Sequence, residues 1–114
     1  MTIIIVTMTP QRRFKLIYAP IIHEHLKTIE PKMYPLIRSE VETQLQFQPG
    51  VETRNRKPLR RPIVFGAKWE IRFGPNNRFR VFYQIDVDQS QVLILAIGEK
   101  IGNRLWIGGE EMEI

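Results

Sequence analysis

Hydrophobic positions recur along this chain with two different periods, and the change from one to the other divides it. From Arg13 to Tyr18, RFKLIY, the residues Phe14, Leu16 and Tyr18 alternate with Lys15 and Ile17, the period of a strand. Ala19-Pro20 ends that run, and Pro20, with φ already fixed, suits the first turn of a helix. Ile21, Ile22, Leu26 and Ile29 then recur at helical spacing up to Pro31, which breaks the helix. From Pro35 to Phe47 the stripe Leu36, Ile37, Val41 and Leu45, with Arg38, Glu40 and Glu42 elsewhere, predicts a second helix facing a core, closed by Pro49-Gly50.

After these two helices the pattern changes to period two. Trp69, Ile71 and Phe73 alternate with Glu70 and Arg72, and Phe79, Val81, Tyr83 and Ile85 alternate with Arg80, Phe82 and Gln84. Gly74-Pro75-Asn76-Asn77 between them is turn chemistry, so the two runs form a hairpin. Keeping the apolar residues on one face sets Trp69 opposite Tyr83, Ile71 opposite Val81 and Phe73 opposite Phe79, and it brings Arg72 against Arg80. Like charges so placed repel by roughly a few tenths of a kcal/mol to 1 kcal/mol. An anion between them would remove that penalty; splaying into solvent or meeting Glu70 would also serve.

A second turn, Asp86 to Ser90, leads to Gln91–Ile97, QVLILAI, apolar on both faces and therefore interior to its sheet. Gly98 to Gly109 is punctuated by glycine and predicts a loop with at most one short strand. The acidic tail Glu110 to Ile114 either folds back over basic residues or stays free. His23 and His25, two apart on a helix, do not share a face and are expected in solvent rather than as a metal or catalytic pair.

Charge sharpens this picture. Between Thr53 and Arg80 lie Arg54, Arg56, Lys57, Arg60, Arg61, Lys68, Arg72, Arg78 and Arg80 against one acid, Glu70, a local net charge of +8 in a chain of +5. The remainder is therefore negative, and the positive charge is concentrated where a polyanion could bind. An arginine such as Arg80, in the middle of an apolar strand, is costly unless a ligand anion or an internal carboxylate satisfies it.

With 114 residues, 43% hydrophobic, the chain makes one domain with a real core. Cysteine is absent, so there is no disulfide framework or thiolate chemistry, which fits a reducing cytoplasm; two histidines without cysteine argue against structural zinc. The opening Met1 to Thr7 is apolar but lacks a basic start and is too short to span a bilayer. Residues 1–10 read as an extension, either an upstream start before Met8 or an added edge strand, and residues 11–114 as the domain.

The order strand, two helices and an antiparallel meander with arginines on its middle strands resembles the RelE/ParE toxins of bacterial type II toxin–antitoxin systems. The matching residues are Lys57-Pro58-Leu59, Trp69-Glu70-Ile71-Arg72, Phe79-Arg80-Val81-Phe82-Tyr83 and Ala96-Ile97-Gly98-Glu99-Lys100, within a likeness running from about Arg13 to Trp106. The resemblance implies an α+β fold with two N-terminal helices packed on a four- or five-stranded, antiparallel-rich sheet. It also implies a toxin that cuts mRNA on the ribosome without metal or other cofactor, by attack of a ribose 2′-hydroxyl on the adjacent phosphate. Its partners would be a cognate antitoxin, ribosome and mRNA, with DNA reached only through the antitoxin complex and no role for a membrane.

By position, Arg80 matches the family's phosphate arginine, Arg72 a strand lysine, and Lys100 an arginine near the leaving oxygen. Trp106 matches a tyrosine that stacks on a base; its indole can stack but has no hydroxyl to titrate. The candidate catalytic set is thus Arg72, Arg80 and Lys100. The candidate RNA-binding set is Arg54, Arg56, Lys57, Arg60, Arg61, Lys68, Arg78 and Trp106. Glu70 stands where the family has another lysine, and a carboxylate there repels phosphate unless it is paired or acts as the base. Two alternatives follow from these departures: a ParE-like inhibitor of DNA gyrase, and a catalytically silent toxin that only binds antitoxin or nucleic acid.

Overall fold

In the computed structural model, which describes residues 12–61 and 66–113, the longest strand, β5 (Gln91–Ile101), carries neighbours along both edges. The apolar opening and the readings attached to it lie outside the described residues. On one edge of β5 lie, in order, β4 (Phe79–Asp86), β3 (Trp69–Phe73) and β2 (Arg56–Pro58). The other edge is shared. β1 (Lys15–Tyr18) runs parallel to the first half of β5, Lys15 beside Gln91 and Tyr18 beside Ile94. β6 (Arg104–Ile107) runs antiparallel to the second half, Gly98 beside Ile107, and is followed outward by β7 (Glu110–Met112). The result is α+β with a mostly antiparallel sheet of seven strands, rather than four or five.

One additional strand, β2, comes from the basic stretch, and the others from the glycine-punctuated stretch expected as loop with at most one short strand and from the acidic tail. Gly102-Asn103 and Gly108-Gly109 each join paired strands directly, Ile101 to Arg104 and Ile107 to Glu110. Gly102, Gly108 and Gly109 have φ of 62°, 60° and 82°, the left-handed values that tight hairpin turns require. The glycines thus mark turns between strands, and the acidic tail becomes β7, an edge strand, instead of lying over the basic residues or remaining free.

Both helices precede the antiparallel part of the sheet. α1 (Ile22–Leu26) is only five residues long, shorter than its apolar spacing suggested, because a turn follows Leu26 well before Pro31. α2 (Tyr34–Leu45) has Pro35 in its first turn and buries Ile37, Val41 and Leu45, one residue per turn. They cover one face of the sheet, where Ile71, Val81, Tyr83, Val92 and Ile94 are fully buried. The hairpin of β3 and β4 has the register that its pattern predicts, Trp69–Tyr83, Ile71–Val81, Phe73–Phe79 and Arg72–Arg80. Its rings meet in stacked and tilted pairs, 6.2 Å apart for Trp69–Tyr83 and 5.9 Å for Phe73–Phe79.

A register shift divides β5. Phe82 pairs with Ala96 but the next residue, Tyr83, pairs with Ile94, leaving Leu95 as the extra residue of a bulge. Val92 and Ile94 before it and Ile97 after it all reach the helix-covered core, while Ala96 joins a second apolar cluster with Ala67, Phe82, Leu105 and Ile107.

The same edge of β5 has a gap between β1, which ends its pairing at Ile94, and β6, which begins at Gly98. His25 fills it. The histidine is buried, contrary to the expectation of a solvent position, and its Nδ1 accepts a hydrogen bond of 3.2 Å from the Ile97 N–H. A buried backbone donor needs such a partner, and three residues' spacing puts His25 on the face of α1 that Ile22 also buries. Burial lowers its pKa from the usual 6.5.

Candidate functional site

Strand alternation that sends Ile71, Phe73, Phe79 and Val81 to the helices sends Glu70, Arg72 and Arg80 to the other face. There Lys57 of β2 lies beside Glu70, Glu70 beside Phe82, Arg72 beside Arg80 and Arg80 beside Gly98. Lys57, Glu70, Arg72 and Arg80 line a groove of about 310 Å³ with Pro58, Leu59, Arg60, Arg61 and Leu105. Five cations, Lys57, Arg60, Arg61, Arg72 and Arg80, therefore face one carboxylate, Glu70.

The centre of the groove is buried. Glu70 and Arg80 are 5% and 6% exposed, walled by the second apolar cluster. Arg72 donates from Nε to Glu70 Oε1 at 2.6 Å, a charge-assisted hydrogen bond. Arg80 Nη1 is 3.7 Å from Glu70 Oε2, and its Nε donates to the Asn77 carbonyl at 3.3 Å. Burial lowers the Arg80 pKa, and the Arg72 charge lowers it further; Glu70 opposes both. Of the answers open to the facing arginines, the protein uses the internal carboxylate.

Gly98 lies beside Arg80 in the register and close to Leu105, which lines the groove. A Cβ there would lie 2.8 Å from Ile107 Cγ1 and 2.9 Å from the Trp106 carbonyl oxygen, so a hydrogen is needed where β6 comes close beside Arg80. Glycine within a β pattern is the sequence signal that could have found it. Leu105 gave no such signal, since its place depends on β6 forming at all.

Of the eleven residues singled out from the sequence, the groove brings together Arg72, Arg80, Lys57, Arg60 and Arg61. Arg54 and Lys68 are exposed and outside it. Arg56 belongs to the opposite face: it pairs with Ile71 in the register, is buried, and donates from Nη1 to the Gln48 carbonyl beyond α2. Close by, the Tyr83 hydroxyl donates to the Pro49 carbonyl at 2.6 Å, and burial raises its pKa. Arg56 therefore holds the chain between α2 and β2 and is not placed to meet a ligand in the groove.

Arg78 pairs with Glu99 and lies over the Phe79 ring, 5.2 Å from its centroid. It lines a separate depression of about 570 Å³ with Lys100 and the tip of the β3–β4 hairpin. Trp106 pairs with Glu99, which pairs with Phe79, so alternation assigns it to the face opposite Arg80. Leu105 and Ile107 on either side of it join the groove-side cluster, as that alternation demands. Among the described residues no group of three or more His, Asp or Glu side chains is gathered as metal ligands, and no helix is long and apolar enough to cross a membrane.

No family model matches the chain, and no curated protein matches it in sequence. Three chains of solved structures match in fold. One belongs to the crystal structure of the toxin–antitoxin complex RelBE2 from Mycobacterium tuberculosis, with a TM-score of 0.59 and 22% identity over 77% of this chain and 99% of that chain. The protein thus shares its fold with a chain of a toxin–antitoxin complex.

Proposed function

We propose that this protein is the toxin of a type II toxin–antitoxin pair, held in check by a cognate antitoxin in the bacterial cytoplasm, and that it cleaves mRNA in the ribosome. The observation that carries the reading is the pair of facing arginines, Arg72 and Arg80, in a cationic groove on the face opposite α1 and α2, in a fold shared with a chain of a toxin–antitoxin complex. Two facing guanidinium groups, Arg80 buried and Arg72 partly exposed, suit a phosphodiester and the charge that develops on it.

In the reaction the ribose 2′-oxygen bonds to phosphorus and the bond to the 5′-oxygen breaks. The 2′-hydroxyl loses its proton, the 5′-oxygen gains one, and a 2′,3′-cyclic phosphate and a 5′-hydroxyl remain. Arg80 and Arg72 hold the phosphate and stabilise its extra charge, without metal. Neither accepts a proton, because guanidinium stays protonated. Lys57, Arg60 and Arg61 extend the cationic surface along the flanking backbone.

Purified protein and an Arg80→Ala variant, each added to ribosomes carrying a defined mRNA, test this. Cuts within the A-site codon by wild type alone support it; absence of cuts from folded wild type removes it. A second reading, inhibition of DNA gyrase through a protein interface, is favoured by the dispersal of the expected set: Lys100 lines another depression and Trp106 lies on the other face. Loss of gyrase supercoiling activity with no RNA cleavage would establish it.

A further inference from the structure

The Glu70 carboxylate lies where an anionic ligand of the groove would have to lie. One oxygen accepts from Arg72 at 2.6 Å and the other is 3.7 Å from Arg80 Nη1, so the carboxylate spans the two guanidinium groups that face each other across β3 and β4. We infer that Glu70 is an internal counterion standing in for the ligand: a phosphate group of a polyanion binds by exchange, taking Arg72 and Arg80 while Glu70 gives them up. This deepens the reading of the groove as a phosphate site and rests on it.

The geometry gives the exchange an order. Arg72 is hydrogen-bonded to Glu70, whereas the closest approach of Arg80 to the same carboxylate is beyond hydrogen-bond length. Arg80 therefore exchanges Glu70 for a phosphate oxygen more readily than Arg72, which must give up a formed hydrogen bond. Exchange also sets a threshold. A phosphate that meets the two arginines alone replaces one charge-assisted interaction with another and gains little. A ligand that also reaches Lys57, Arg60 and Arg61 gains those contacts in addition. Glu70 thereby selects a backbone held in place along the groove over a loose polyanion, and it keeps the arginines from repelling each other when the groove is empty.

Binding of two probes by wild type and Glu70→Gln tests the exchange. The probes are inorganic pyrophosphate and a short RNA with 2′-O-methyl groups throughout, which cannot be cleaved. E70Q should bind both at least about tenfold more tightly at equal salt, the scale of one charge-assisted hydrogen bond no longer given up. Glu24→Gln on α1, across the sheet, makes the same change in net charge and should alter binding less than about twofold. Equal or weaker binding by E70Q, or an E24Q effect of the same size, overturns the inference. If E70Q does not fold, the wild type decides: the carboxyl carbon resonance of Glu70 must shift as pyrophosphate saturates the groove, and no shift at saturation overturns the exchange. Tighter binding by E70Q from a protein that cuts no mRNA leaves the inference standing and removes only the ribonuclease reading. Failure of both proteins to bind either probe removes the phosphate site and the inference together.

Discussion

The two faces of this sheet both bury residues, yet for different reasons. On one, Val81, Val92 and Ile94 are sealed by α1 and α2, and the apolar side chains that make up most of the layer gain from leaving water. On the other, the equally buried Phe82 and Ala96 surround Glu70 and Arg80, which gain nothing from burial and are tolerated because they neutralise one another. The cover there is thin: Leu59 before β3, Leu105 and Ile107 of β6, and Met112 of β7. One face therefore stores stability. The other keeps charges in low dielectric, where their interactions with a ligand are strongest.

If that division holds, damage to the helix face should cost stability and leave binding alone. Leu45→Ala, at a fully buried position of α2, should lower the unfolding free energy by about 4 kcal/mol through lost transfer energy and the cavity left behind. Urea denaturation would measure the loss. Pyrophosphate affinity of the protein still folded should change less than about twofold, and a larger change would show that the faces are coupled. Arg80→Met is the counterpart on the groove face. It leaves Glu70 buried with Arg72 as its partner and should cost about 3 kcal/mol, with anion binding abolished. Adding Glu70→Gln to it should recover much of the stability and none of the binding, a non-additivity that a double-mutant cycle would detect.

The contrast also explains what could be read from the sequence. The β3–β4 register was legible because apolar alternation on one face fixes it, and Arg72 against Arg80 followed without further information. What lay between them was open, since the choice of Glu70 depends on side-chain geometry across two strands. That Arg56 and Trp106 fall on the face opposite the groove was not legible, for a related reason. A charged residue in a short strand, or an aromatic near the end of the chain, does not declare its face until the neighbouring register is known, and β2 pairs for only three residues. The stretch from Gly98 to Gly109 read as loop because its strands are short and glycine marks turns and irregular chain alike. His25 was hidden by topology: the gap it fills exists only once β1 and β6 share one edge of β5.

Gly98 tests how closely the thin cover must sit. Alanine there would push its Cβ against Ile107 and the Trp106 carbonyl, at 2.8 and 2.9 Å. Since the second contact is backbone, β6 itself must shift, at a cost of about 2 kcal/mol. The shift should open the groove beside Arg80 and weaken pyrophosphate binding, while the helix-face core keeps its packing. Near-ultraviolet dichroism in a Trp106→Phe background, which leaves Trp69 and Tyr83 on that core as reporters while removing the tryptophan of the shifted strand, should change little. A full loss of the aromatic signal would mean that the two layers melt as one.

The smallest expected effect belongs to His25, and it separates the faces by pH. Its burial makes the neutral ring the native form, and Nδ1 accepts from the Ile97 N–H, which a protonated ring could not do. The folded pKa lies below the unfolded value, so between the two the unfolded chain binds the extra proton. Stability is then unaffected above the ordinary imidazole range near 6.5 and falls as pH drops below it, by at most about 1.4 kcal/mol per pH unit. The loss ends where the folded ring itself becomes protonated. Urea midpoints from pH 7.5 to 5 would trace the fall, and His25→Asn, which cannot titrate, should flatten that part of the profile. Pyrophosphate affinity measured over the same range, after allowance for the probe's own ionisation, should not differ between the variant and wild type, because His25 acts on the helix side of β5 and the anion binds on the other. A difference between them would place the gap-filling histidine in communication with the groove.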